Sequence, residues 1–160
     1  MNLKLSFPPE PEFAPRHAEL AVNAARKVDG ITLDYSVKSL QALDDIIERL
    51  RGEGVSTEQI GETLFAFGCY VGEVFVRSVG GKWRLASETG MRDFAGFIIV
   101  VDLGADNVVN PIGKVFKRFE NGIEDHLPYF YQVFAKPPPH LRPPSTWSSL
   151  SGWLRRLIKS

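Results

Sequence analysis

Val37, Leu40, Leu43, Ile47 and Leu50 recur at spacings of three and four, which places them on one face of a helix. The pattern predicts a helix capped by Ser36, with Asp44, Asp45, Glu48 and Arg49 on its wet side. Gly52-Glu53-Gly54 breaks it, and Ser56 with Gln59 forms a capping-box pattern for a longer, central helix. Its expected buried face is Ile60, Leu64, Phe67, Val71 and Val74. Gly61, Gly68 and Gly72 share a stripe on that helix, and each costs about 1 kcal/mol relative to alanine. Close approach of another backbone, or of a ligand, is expected to offset that cost.

Upstream, Pro8, Pro9, Pro11 and Pro15 predict an extended arm over 1–15 that enters a helix with Pro15 near its first position. That helix runs to Val28 and stops at Asp29-Gly30; 31–33 reads as a short strand or extended segment. Downstream, Lys82-Trp83-Arg84-Leu85 alternates polar and apolar as a half-buried strand does, and 94–103 is nearly continuously apolar, a second strand covered on both faces. Val108-Val109 adds a third strand. Asn110-Pro111 opens a fourth helix with Ile112, Val115, Phe116 and Phe119 on its apolar face, and Asn121-Gly122 ends it. The stretch 127–134 is so rich in aromatics that it should be largely buried or docked on a partner.

This order predicts an α+β fold, helices packed on a small, mainly antiparallel sheet. The domain spans 16–136, after the arm at 1–15. A proline-rich spacer follows at 137–144 and an amphipathic basic helix at 145–160.

With 160 residues, 44% apolar and 24% charged, the chain has the make-up of one globular domain. The single cysteine, Cys69, removes a disulfide framework, and three scattered histidines leave no Cys/His metal cluster. No cofactor is implied, because neither a dinucleotide fingerprint nor a phosphate-binding loop is present. Nineteen basic and nineteen acidic side chains cancel, so nucleic acid is not an expected partner. The first fifteen residues lack the apolar stretch of a secretory signal, which points to the cytoplasm. Charge is nonetheless uneven: no acid follows Asp125, whereas Lys136, Arg142, Arg155, Arg156 and Lys159 are all basic.

Three groups of residues are candidates for function. In 145–160, Trp147, Leu150, Trp153, Leu154, Leu157 and Ile158 form an apolar stripe flanked by Arg155, Arg156 and Lys159. Such a helix folds back on its own domain, packs on a symmetric neighbour, enters a protein groove or lies on an anionic membrane surface. Glu73 is the candidate acid/base: it forms an i,i+4 pair with Arg77, or it faces the sheet near Trp83. Lys114, Lys117 and Arg118 fall on one face of the fourth helix, a solvated face or a seat for a phosphate or an acidic protein surface.

Taken as a set, the octapeptide from Phe67 to Val74, Gly80-Gly81-Lys82-Trp83, Asn110-Pro111, and Arg118-Phe119-Glu120-Asn121-Gly122 with Asp125 resemble a family of small uncharacterised bacterial proteins, over about 31–134. The resemblance implies a domain of unknown function and supplies no catalytic residues. The residues themselves suggest a non-enzymatic protein-binding module, an immunity or toxin-neutralising protein being one version, with Trp83, the fourth-helix cations and the tail as its surface. The alternatives are a small enzyme using Glu73 on an anionic substrate held by Arg118 or Lys114, and a peripheral membrane protein docked by its tail.

Overall fold

A computed structural model describes residues 1–90 and 98–136. The tail candidates Trp147, Trp153, Arg155 and Arg156 lie outside the described residues, as does the spacer at 137–144.

After the arm, a 3-10 turn at Pro11–Phe13 leads into α1 (Ala14–Ala24), with Pro15 in its first turn. Ala14, Ala18, Ala21 and Ala25 are buried at i, i+4, i+7 and i+11, a ridge of small side chains that lets α1 lie close against another helix. That helix is α3 (Thr57–Val79), opened by the expected capping box of Ser56 and Gln59 and closed by Gly80 at φ 80°. All five residues expected on its buried face are buried. From Thr63 through Phe75 only Phe65 is less than fully buried, so α3 runs through the centre of the molecule.

The strands β1 (Lys82–Leu85), β2 (Ile99–Asp102) and β3 (Val108–Val109) pair antiparallel in the order β1-β2-β3. Ile99, Val100 and Val101 are all buried, as a strand covered on both faces requires. The helices α2 (Ser39–Gly52), α4 (Pro111–Asn121) and α5 (Leu127–Phe134) complete the α+β fold. Asn110 caps α4 as expected, its side-chain oxygen accepting from the Gly113 N–H at 2.8 Å. No described helix is long and apolar enough to cross a membrane.

Several expectations are corrected. Of the two readings of 31–33 the strand fails, since these residues join no sheet among the described residues, and Leu33 is buried. The helix expected from Ser36 starts at Ser39, since Ser39, Leu40 and Gln41 first make i→i−3 turn bonds, and Val37 is left exposed. The second strand is described only from Ile99, and 91–97 lies outside the described residues. Of the helix glycines, Gly68 meets a backbone: a Cβ there would lie 2.5 Å from the Ile112 Cα of α4. Gly72 meets the Trp83 ring, and Gly61 meets nothing within 4 Å. In α5 only Leu127 and Phe130 are buried; Tyr129 is 63% exposed, and Val133 and Phe134 also face outward, so of the two readings of 127–134 it is the largely buried one that fails.

Candidate functional site

Trp83 sits on β1 opposite Val101 and lays its indole across α3 where Gly72 has no side chain. Its Nε1–H donates to Glu73 Oε1 at 2.9 Å, while Arg77 Nε donates to Glu73 Oε2 at 3.2 Å. Glu73 is 4% exposed, so it faces the interior with two partners rather than bulk solvent with one. The Arg77 guanidinium lies 3.5 Å above the Tyr35 ring, which stacks on Tyr70 at 4.9 Å between centroids. Tyr35 holds a left-handed φ of 63°, and its N–H is anchored by Tyr70 Oη at 2.8 Å. Burial raises both tyrosine pKa values above the ordinary phenol. It also pushes the Cys69 thiol up, aided by the charge of Glu73, so Cys69 is an inert core side chain.

The basic face expected on α4 does not form. Arg118 is 1% exposed; its Nε and Nη2 donate to the two carboxylate oxygens of Asp44 at 3.0 and 2.9 Å, and Nη1 donates to Glu48 at 2.6 Å. Asp44, expected in solvent, is equally buried and also accepts the Leu127 N–H at 2.9 Å. One carboxylate therefore joins α2, α4 and the start of α5. Lys114 donates to Asp125 at 2.6 Å, and of the three cations only Lys117 is exposed. Both residues expected to hold an anionic substrate near Glu73 are thus already bound to carboxylates.

These pairs set a pH dependence. Burial opposes ionisation of Asp125, but hydrogen bonds from Lys114 and Asn121 outweigh it and hold the carboxyl below its ordinary value. Hydrogen bonding from Arg118 does the same for Glu48, and the Leu5 N–H does so for Glu62. An unfolded chain binds these protons more readily, so the stability the groups contribute is present above their unfolded values and lost as pH falls through the folded ones. The urea midpoint is expected to stay level with respect to these groups from pH 7 to about 5 and to drop from about pH 4.5 downward. Asp125→Asn should flatten part of that acid limb; an unchanged limb would remove Asp125 from the account.

A cleft of about 660 Å³ lies between the arm and β1. Its apolar lining is Pro9, Pro11, Trp83, Leu85 and Ile98, with Ile98 58% exposed; Glu10, Glu12 and Glu88 stand beside it. Arg84, the cation of the lining, reaches Glu88 at 3.8 Å and Asp102 at 3.4 Å. The arm wall is fixed in place: the Leu3 N–H donates to Thr63 Oγ1, the Leu5 N–H donates to Glu62, and His17 Nε2 lies 2.9 Å from the Pro8 carbonyl. Since a carbonyl only accepts, that nitrogen carries the proton. Sequence reasoning singled out Trp83 and missed Glu10, Glu12, Glu88 and Ile98. The alternation Pro9-Glu10-Pro11-Glu12 was the available signal, because proline restricts the backbone and the wall enters a 3-10 turn at Pro11.

Among the described residues, no group of three or more His, Cys, Asp or Glu side chains is placed to hold a metal ion. Comparison with curated proteins and with solved structures finds no match. A family match is found over residues 17–115, beginning in α1, ahead of the expected residue 31, and ending inside α4, short of the expected 134. It contains Glu73, Trp83 and Ile98, and excludes Arg118 and the arm wall. Covering more than half of the chain, this match shows that the protein belongs to DUF6278, a family of unknown function.

Proposed function

We propose that this protein is a protein-binding module whose docking site is the cleft at Trp83, and that it takes an extended segment carrying basic side chains. The observation that carries the reading is the pairing of exposed Ile98 and half-buried Trp83 with three carboxylates around one open cleft. Apolar surface of that kind is expensive to leave in water, and anchors of this type supply most of the affinity at an interface. Among the described residues Glu10 and Glu12 have no ion-pair partner, so the rim keeps its negative charge for an incoming cation.

The fragment 1–136 keeps every described helix and strand and the core cluster from Ala14 to Phe130 that they enclose, so it is expected to fold, and Trp83 is its single tryptophan. Titration of the fragment with a ten-residue arginine-containing peptide is expected to shift Trp83 emission. Binding should weaken at least tenfold in Glu10→Lys/Glu12→Lys and in Ile98→Asp chains, about 1.4 kcal/mol or more. It should also weaken with added salt. Equal affinity in all three chains would overturn the reading.

A further inference from the structure

We infer that the segment docked at Trp83 adds to the free edge of β1 as a further strand, its backbone bonding the outward N–H and C=O groups of Trp83 and Leu85 and its cations meeting Glu10 and Glu12; this rests on the cleft being a peptide-docking site. The occupant is an extended stretch of a partner protein with basic side chains at alternate positions. The hydrogen-bond phase of the sheet carries the inference. The Ala86 N–H donates to the Ile98 carbonyl at 2.7 Å, in line with the register that sets Arg84 opposite Val100 and Lys82 opposite Asp102. Bonding groups alternate in direction along a strand. Lys82, Arg84 and Ala86 therefore bond toward β2, and Trp83 and Leu85 point their backbone groups the other way.

Those outward groups are left open. β1 is the edge strand in the order β1-β2-β3, and among the described residues no backbone group of Trp83 or Leu85 bonds to the arm or to any loop. The arm runs alongside without taking these bonds, and Pro8, Pro9 and Pro11 have no N–H to offer. The cleft of about 660 Å³ lies at this edge, with Trp83, Arg84 and Leu85 in its lining. An edge strand with open bonding groups accepts an extended chain, main-chain bonds giving affinity and alternate side chains giving specificity. The opposite edge, β3, is two residues long and stands outside the cleft.

Charge selects the occupant. Arg84 is already shared by Glu88 and Asp102, while Glu10 and Glu12 have no ion-pair partner among the described residues. An added strand shows every second side chain to one face, so the cations that reach the acidic arm wall fall at i and i+2. The backbone of Leu85 offers a way to remove one open donor alone. Leu85 has φ −67° and ψ 136°, the φ that a proline ring holds, and Arg84 before it lies in the strand. Proline is tolerated in an edge strand where the N–H faces away from the sheet, so it fits at 85 with the bonds to β2 intact.

The test uses the full chain and a ten-residue peptide of alternating valine and arginine. Saturating peptide is expected to slow hydrogen exchange at the Trp83 and Leu85 amides by about tenfold or more, while Arg84 and Ala86, already bonded within the sheet, change little. Leu85→Pro and Leu85→Ala both remove the leucine side chain, but only proline removes the outward N–H, so Leu85→Pro should bind the peptide about fivefold or more weakly than Leu85→Ala. A third measurement leaves the protein unaltered: methylating the peptide's backbone nitrogens at alternate positions should weaken binding in one phase and spare it in the other. Unprotected Trp83 and Leu85 amides with the peptide bound, or equal affinity for the two methylation phases, would overturn the inference while the docking site stands. Protection of the two amides that rises with protein concentration in the absence of peptide would overturn it as well, because a second copy would then occupy the edge. If the peptide does not bind, the inference and the docking site fail together.

Discussion

Asp44→Ala is expected to destabilise the protein by about 3–5 kcal/mol, the cost of breaking a buried ion pair from one side. The substitution strips Arg118 of the partner of both Nε and Nη2 and leaves it only Glu48. It also orphans the buried Leu127 N–H at the start of α5. Because a domain of this kind is stable by about 5–15 kcal/mol in total, the loss removes a large share of it. Replacing both partners, as in Asp44→Leu/Arg118→Met, should cost markedly less than the sum of the single changes, since no charge is then left buried and unpaired. Urea unfolding of the wild type, Asp44→Ala, Asp44→Leu, Arg118→Met and the double variant checks this. A loss below about 1 kcal/mol in Asp44→Ala, or simple additivity in the double variant, would mean that the pair is solvated rather than buried.

Gly68→Ala and Gly61→Ala are expected to shift stability in opposite directions. Alanine is favoured over glycine in a helix by about 1 kcal/mol, and both positions lie in α3. At Gly61 a Cβ meets nothing within 4 Å, so the chain should gain up to about 1 kcal/mol. At Gly68 the Cβ would fall 2.5 Å from a backbone atom, Ile112 Cα, and 2.8 Å from that residue's Cγ1. The helices α3 and α4 must then move apart, and overpacking of this kind costs about 1–3 kcal/mol. Thermal unfolding of the two variants reads the sign directly; a stabilised Gly68→Ala would contradict the close approach of α3 and α4.

The same glycine stripe shows how far the pattern could be read. Spacing alone put Gly61, Gly68 and Gly72 on one line, and a close neighbour was expected for all three. The structure supplies a backbone for one, an indole for another and open space for the third. Likewise Glu73–Arg77 was legible as an i,i+4 pair, while the Trp83 N–H that completes the carboxylate's hydrogen bonding comes from a residue on β1, in a different element.

Local rules act over a few residues. They therefore determined the capping box of α3, the Asn110 cap of α4, the buried face from Ile60 to Val74, and the alternation of β1, each set by spacing and short-range hydrogen bonding. Only the tertiary structure decided that Asp44 is buried, because its guanidinium partner stands 74 residues further along the chain. It also decided that Arg118 is a core ion rather than a surface one, and that the arm and β1 enclose a cleft. A charged side chain in an amphipathic pattern reads as solvated until a distant element brings its counter-charge, and periodicity carries no record of which element that will be.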